Sequence, residues 1–239
     1  MTIAQTGPAA IRPHVRYKND LVAAIMDRTP ASVLDIGCGE GQLIDTLQKR
    51  GIARCTGIEV DPETVRSATG AGLDVRLGRA EQLPFEDKAF DVVVLDYVAH
   101  HLEFLGCALS EAARVAKQAV LILDPWFDTA LPSQQVARDF DNWFKHLDRR
   151  LGMVHFPVID TATLATAFAG PERWQIDVGY RLVHQGISID VMEGRARGRL
   201  AEAGCTDNLA HELAPLLDRA RLHGVTEDGA VLFCADRSR

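Results

Sequence analysis

The stretch Val33-Leu34-Asp35-Ile36-Gly37-Cys38-Gly39-Glu40-Gly41-Gln42 decides the fold. An apolar strand over Ser32 to Ile36 runs into three glycines and then into a helix from Gln42 to Lys49. Glycine accepts positive φ and lets a ligand approach the backbone without a Cβ in the way. The free amides of a helix N-terminus lie just beyond. The segment reads as a ligand loop at the carboxyl end of a first strand, where open α/β sheets bind small molecules.

Apolar runs alternate with amphipathic stretches on either side of this loop, the signature of βαβ units. Val15 to Met26 reads as a leading helix, Cys55 to Val60 as the second strand and Leu73 to Leu77 as the third. Asp61-Pro62 opens a helix, with Asp as the N-cap and Pro in the first helical position. Phe90 to Leu95 is the fourth strand, Glu103 to Ala116 a helix and Ala119 to Leu123 the fifth strand. The pattern then breaks over Asp124 to Gly170, which reads as irregular chain with two helices. Trp174 to Leu182 and Ala230 to Cys234 read as strands six and seven, with a helical stretch at Leu209 to Leu222 between them. The expectation is an α/β fold, a seven-stranded, mostly parallel sheet with helices on both faces. Helical insertions follow strand five and lie between strands six and seven. We read one domain: a loose arm over 1–12, a core over 14–124, and insertions over 125–170 and 187–223 that serve as lid or oligomer contact.

The glycine spacing is G-x-G-x-G, whereas dinucleotide folds favour G-x-G-x-x-G, which rests a pyrophosphate on the helix N-terminus. Asp35, two positions before the first glycine, would repel a pyrophosphate and suits a cationic amino group. S-adenosylmethionine has that ammonium, a carboxylate for the loop amides and no phosphate. Glu59 falls about 20 residues beyond the loop, where a carboxylate can accept both hydroxyls of a ribose. NAD has such a diol too, so Glu59 indicates a nucleoside cofactor without choosing between the two.

With these residues in view the chain resembles the class I, Rossmann-like S-adenosylmethionine-dependent methyltransferases, in particular the small-molecule group containing ubiquinone- and menaquinone-type enzymes. The resemblance rests on VLDIGCGEGQ at 33–42, GIEVDPE at 57–63, GRAEQLPFEDKAFDVVVLDYVAHHL at 78–102 and RVAKQAVLILDPW at 114–126. It covers about half the chain. It implies that Gly37, Cys38, Gly39 and Gly41 border the methionine part, with Asp35 near its amino group. Glu59 would bind ribose, Val60 would cover adenine, and Ala80 and Glu81 would contact it. Leu95 and Asp96 would stand beside the methionine part and the transferable methyl, with Tyr97 as a cofactor contact or pocket wall. Arg79 departs from the Asp usual before that alanine, and Lys117-Gln118-Ala119 replaces a Pro-Gly-Gly turn.

Methyl transfer is an in-line displacement from an already activated donor, so positioning can supply much of the catalysis. A base is needed only if the acceptor carries a proton. His100 and His101, just past the fourth strand, are the candidates, because an imidazole titrates near neutrality. Trp126, Phe127, Phe140, Trp143, Phe144 and Phe156 could cover a flat substrate or form a satellite core. His155 and His184 lie in segments that could fold over the site. The sequence shows no cluster with metal-ligand spacing.

The 239 residues carry a net charge of −7 with 47% hydrophobic and 25% charged residues, the composition of a globular domain. The acidic balance argues against a nucleic-acid substrate, which calls for a basic field. Five scattered cysteines without a C-x-x-C pair indicate a reduced, cytoplasmic protein. Met1 to Ala10 lacks the pattern of a signal peptide, and no apolar run reaches the ~20 residues of a membrane span. The partner expected is a small molecule, with a homodimer possible and neither nucleic acid nor membrane involved. Three other readings stay open: an NAD-type oxidoreductase, a non-catalytic S-adenosylmethionine-binding protein, and an RNA or protein methyltransferase.

Overall fold

The computed structural model describes residues 13–170, 173–204 and 208–238; the arm over 1–12 lies outside them. Helix α1 (Pro13–Asp27) leads into β1 (Ser32–Ile36), α2 (Gln42–Lys49), β2 (Arg54–Glu59), α3 (Pro62–Gly70) and β3 (Val75–Leu77). Then come β4 (Phe90–Asp96), a short 3-10 turn (Ala99–His101), α4 (Leu105–Val115) and β5 (Ala116–Trp126). The second half adds α5 (Pro132–Arg150), α6 (Thr161–Thr166), β6 (Trp174–Arg181), α7 (Ile189–Glu202), α8 (Asn208–His223) and β7 (Gly229–Arg237).

The strands form one sheet in the order β3-β2-β1-β4-β5-β7-β6. β1 pairs parallel with β2 and β4, β2 with β3, and β4 with β5, while β7 runs antiparallel between β5 and β6. The order reverses between β1 and β4, and the crevice at such a switch point is where open α/β sheets bind ligands. Both faces of the central strands are covered, which is why β1 and β4 read as continuous apolar runs. One core lies around Leu34, Val93, Val120 and α4; the other holds Leu21, Ile25, Leu47 and Leu121.

A third cluster stands apart. Phe127, Val136, Phe140, Trp143 and Leu147 pack with Met192, Ala196, Leu209, Leu213 and Leu217 of α7 and α8. Trp143 Nε1 donates to the Leu209 carbonyl at 3.0 Å, joining α5 to α8. Of the six aromatics read as a possible substrate cover, Phe127, Phe140 and Trp143 are thus buried in a satellite core. Phe156 stays exposed. Trp126 packs against Tyr180 in a tilted pair with ring centres 4.7 Å apart.

Among the described residues no helix is long and apolar enough to cross a membrane.

Candidate functional site

The carboxyl ends of β1, β2 and β4 open on a cavity of about 300 Å³. Of the residues singled out in the sequence, Gly37, Glu59, Val60, Ala80, Tyr97 and His101 line it. Ile36, Ile58, Gly78, Val98 and Leu102 complete the wall and were not singled out. The apolar strand pattern and the Gly78-Arg79-Ala80 turn were the available signals for them.

The glycine loop is built from three left-handed residues, Gly37 (φ 69°), Gly39 (φ 54°) and Gly41 (φ 79°). Gly37 N and Cys38 N donate to the Ile58 carbonyl at 2.8 and 3.2 Å, tying the loop to β2. A Cβ at Gly37 would stand 2.3 Å from Val98 Cγ2, and one at Gly41 would stand 2.5 Å from Leu73 Cδ1. Those two glycines serve packing as well as conformation. A Cβ at Gly39 would meet no atom within 4 Å, so this residue borders open space.

Glu59 closes the loop from the side. Its Oε2 accepts from Gly39 N at 3.0 Å, and its Oε1 accepts from Val60 N at 2.8 Å and Asp61 N at 3.1 Å. A carboxylate offers about four acceptor positions, so capacity remains for a ligand hydroxyl. Val60 presents a 59% exposed side chain at the rim.

Two carboxylates sit behind the loop. Asp35 is buried, and among the described residues neither its Oδ1 nor Asp96 Oδ1 has a hydrogen-bond partner. Burial pushes the Asp35 carboxyl well above the usual range, and the Asp96 charge adds to the rise, while Lys18 opposes it. Lys18 Nζ reaches from α1 to Asp96 Oδ2 at 2.8 Å. The neighbouring Tyr17 anchors that helix: its hydroxyl donates to the Asp228 carbonyl at 3.2 Å and accepts from Val183 N at 3.0 Å. Tyr97 holds φ at 55°, an outlier for a bulky residue and a form of strain that clusters at functional sites. Its hydroxyl is buried without a partner among the described residues.

His100, His101 and His155 come together past β4, with ring centres 4.3 to 5.1 Å apart. His100 Nδ1 lies 2.7 Å from Asp124 Oδ1, His101 Nδ1 lies 2.8 Å from the Val154 carbonyl, and His155 Nδ1 lies 2.7 Å from Asp148 Oδ2. Burial depresses the His155 imidazole to about 4, with His101 and His100 adding to the fall and the Asp148 bond opposing it. His101 is lowered as well, first by burial.

Asp35, Cys38, Gly39, Gly41, Glu81, Leu95, Asp96 and His100, also singled out in the sequence, are not among the residues that line the cavity. Leu95, on β4, points into the core and is fully buried. The Cys38 thiol packs toward Gly57, whose Cβ would stand 2.3 Å from it, and burial pushes that thiol up. Gly41 serves as the N-cap of α2. Glu81 pairs with Arg79 at 3.4 Å. His184 takes no place in the histidine group.

Comparison with known proteins agrees with this geometry. Residues 34–123 match the family described as "Methyltransferase domain". An uncharacterized methyltransferase, YcgJ of Bacillus subtilis, is 34% identical over 131 residues, covering 51% of this chain and 49% of that protein. The chain thus spans about half the length of this relative in that alignment. A trans-aconitate 2-methyltransferase of Rhodococcus jostii is 29% identical over 233 residues, 90% of this chain and 88% of that protein. The crystal structure of Bacillus YcgJ superposes with a TM-score of 0.65 at 20% identity, over 95% of this chain and 100% of that one; at that identity the likeness is one of fold. Over residues 34–123 the chain is thus similar to that methyltransferase-domain family, and its sheet has the Rossmann-like fold of the solved structures it resembles. The matched residues contain the glycine loop, Glu59, Ala80, the end of β4 and the histidine pair.

Proposed function

We propose that the protein transfers the methyl group of S-adenosylmethionine to O, N or C of a small molecule, with the cofactor in the cavity between β1, β2 and β4. The observation that carries the reading is the pair of unpartnered buried carboxylate oxygens, on Asp35 and Asp96. A buried acceptor without a partner costs on the order of 1–3 kcal/mol, and a cationic ligand group relieves that cost. A pyrophosphate would add to the negative charge, which disfavours the NAD reading.

When bound, S-adenosylmethionine supplies an electrophilic methyl on a sulfonium. In this reading Asp35 and Asp96 hold its positive end. Gly39 leaves room for it, Glu59 accepts from the ribose, and Val60 and Ala80 flank the adenine. Tyr97 and His101 then border the place where an acceptor would enter, and Asp124 orients His100. A free His101 could take a proton from the acceptor.

A small acceptor is favoured because the protein is acidic and because the relative aligned over most of its length is named for trans-aconitate. Residues 125–170 and 187–223 act as cover or as contact between two copies. The cysteines at 38, 55, 107 and 234 are free thiols, which suits a reducing cytoplasm.

Labelled S-adenosylmethionine offered with panels of small carboxylic acids, phenols and amines tests the reading. Incorporation into one class supports it and names the atom. Binding of S-adenosylhomocysteine without incorporation across the panels would favour a non-catalytic binding protein instead.

A further inference from the structure

The three histidines past β4 have ligand-capable atoms that all lie within 4.8 Å of one another. Two are adjacent in sequence, and the third arrives from 54 positions further on, beyond α5. The approach is fixed by backbone, since Phe156 N donates to the His100 carbonyl at 2.8 Å. Arg149 holds the same segment through the His155 carbonyl at 2.6 Å.

Each ring is oriented by a partner of its own at Nδ1: the Asp124 carboxylate, the Val154 carbonyl and the Asp148 carboxylate. Arg199 Nε in turn donates to Asp148 at 2.9 Å. Metal-binding histidines nearly always donate one ring N–H to a carboxylate or a carbonyl, which leaves the other nitrogen basic and aimed at the ion. Here all three rings have that partner at Nδ1, and among the described residues no hydrogen bond is made by Nε2 of any of them.

We propose that His100, His101 and His155 form a three-histidine site for a divalent ion of the zinc type. Three neutral nitrogen ligands with one position left open is the arrangement of a catalytic rather than a structural zinc site. At Zn–N distances of about 2.0–2.1 Å the nitrogens stand roughly 3.3 Å apart, so small ring rotations close the present spacing. His101 belongs both to this group and to the cavity wall, so the open position borders the place assigned above to the acceptor. An ion there would hold a carboxylate or hydroxyl oxygen of the acceptor and favour its anionic form. It would also occupy the His101 lone pair, removing that residue as a free base. The metal site itself stands without the methyl-transfer reading; only its use rests on that reading.

The test is metal content and cobalt(II) titration of the full, tag-free chain, followed by ligand-field absorption, with S-adenosylhomocysteine binding measured separately. We expect one ion per chain. His155→Ala and His101→Asn should each weaken binding by at least about a hundredfold, and Asp124→Asn by about 10- to 100-fold, with S-adenosylhomocysteine affinity retained in His155→Ala. If His155→Ala fails to fold, the exposed His101→Asn decides. Absence of stoichiometric cobalt or zinc binding overturns the proposal, as does binding that both variants leave unchanged. Metal binding without S-adenosylhomocysteine binding would keep this site and remove the proposed function.

Discussion

Lys18 Nζ stands 2.8 Å from Asp96 Oδ2, so a cation on the leading helix faces the carboxylate at the end of β4. The Asp96 side chain is only 8% exposed, and buried Asp35 lies close enough to feel the same ammonium. The chain therefore carries its own positive charge at the place proposed for a cationic cofactor.

Lys18→Met should leave two buried carboxylates without that charge. Because Lys18 itself is 41% exposed, the loss falls between the exposed and buried limits, about 1–3 kcal/mol, or several degrees in Tm. Ligand should recover part of it. The Tm rise on adding S-adenosylmethionine should exceed that in the wild type, and the excess should be smaller with S-adenosylhomocysteine, which lacks the sulfonium charge. Thermal melts with each ligand check this; equal rises in variant and wild type would detach Lys18 from the cofactor site.

The glycines separate stability from binding. Gly39→Ala places its methyl in open space, at a backbone cost of roughly 1–2 kcal/mol for the left-handed conformation. It should fold and lose at least about tenfold in S-adenosylhomocysteine affinity. Gly37→Ala meets Val98 at 2.3 Å in addition to that strain, so it should be the less stable of the two by denaturant titration. A Gly39→Ala protein that binds normally would remove the loop from the cofactor.

Stability should depend on pH through Asp228. Burial pushes this carboxyl up to about 6 from 3.8, with repulsion from Asp141 and Glu227 adding and its own backbone bond and Lys145 opposing. The folded state holds the proton more tightly than the unfolded chain. The resulting stability is complete below about pH 4 and is lost as pH rises through 6. Asp228→Asn lacks this loss. Its stability relative to wild type should therefore grow between pH 4 and 6, by an upper limit of about 3 kcal/mol, and level off above. Urea titrations across that range check it, and a difference that is flat with pH would contradict it.

The first half of the fold is legible because β1, β2 and β4 are largely apolar runs, and Gly37 after β1 and Asp61-Pro62 after β2 punctuate the first two. β5 runs past Leu123 to Trp126, which the Asp124-Pro125-Trp126 break obscured. β4 ends opposite Leu123, so Pro125 needs no N–H partner on that side, while β7 pairs on the other. Helix α7 went unread because Gly194 and Gly198 interrupt it and only Met192 and Ala196 are buried.

In the site, Asp35, Gly37 and Glu59 follow one another along the parallel strands and are visible as spacing. Lys18 and His155 carry no such signal. They meet the site only through the packing of α1 and through the chain that returns after α5.

The central claim is that this cavity takes S-adenosylmethionine through the glycine loop and Glu59, and calorimetric titration of S-adenosylhomocysteine and NAD into wild type and Glu59→Ala tests it most directly. Loss of hydrogen bonds to a charged acceptor costs about 1.5–3 kcal/mol, roughly ten- to a hundredfold in affinity. The account predicts one S-adenosylhomocysteine per chain, no comparable binding of NAD, and a loss of that size in folded Glu59→Ala. Preferential binding of NAD, or an unchanged S-adenosylhomocysteine affinity in the folded variant, would contradict it.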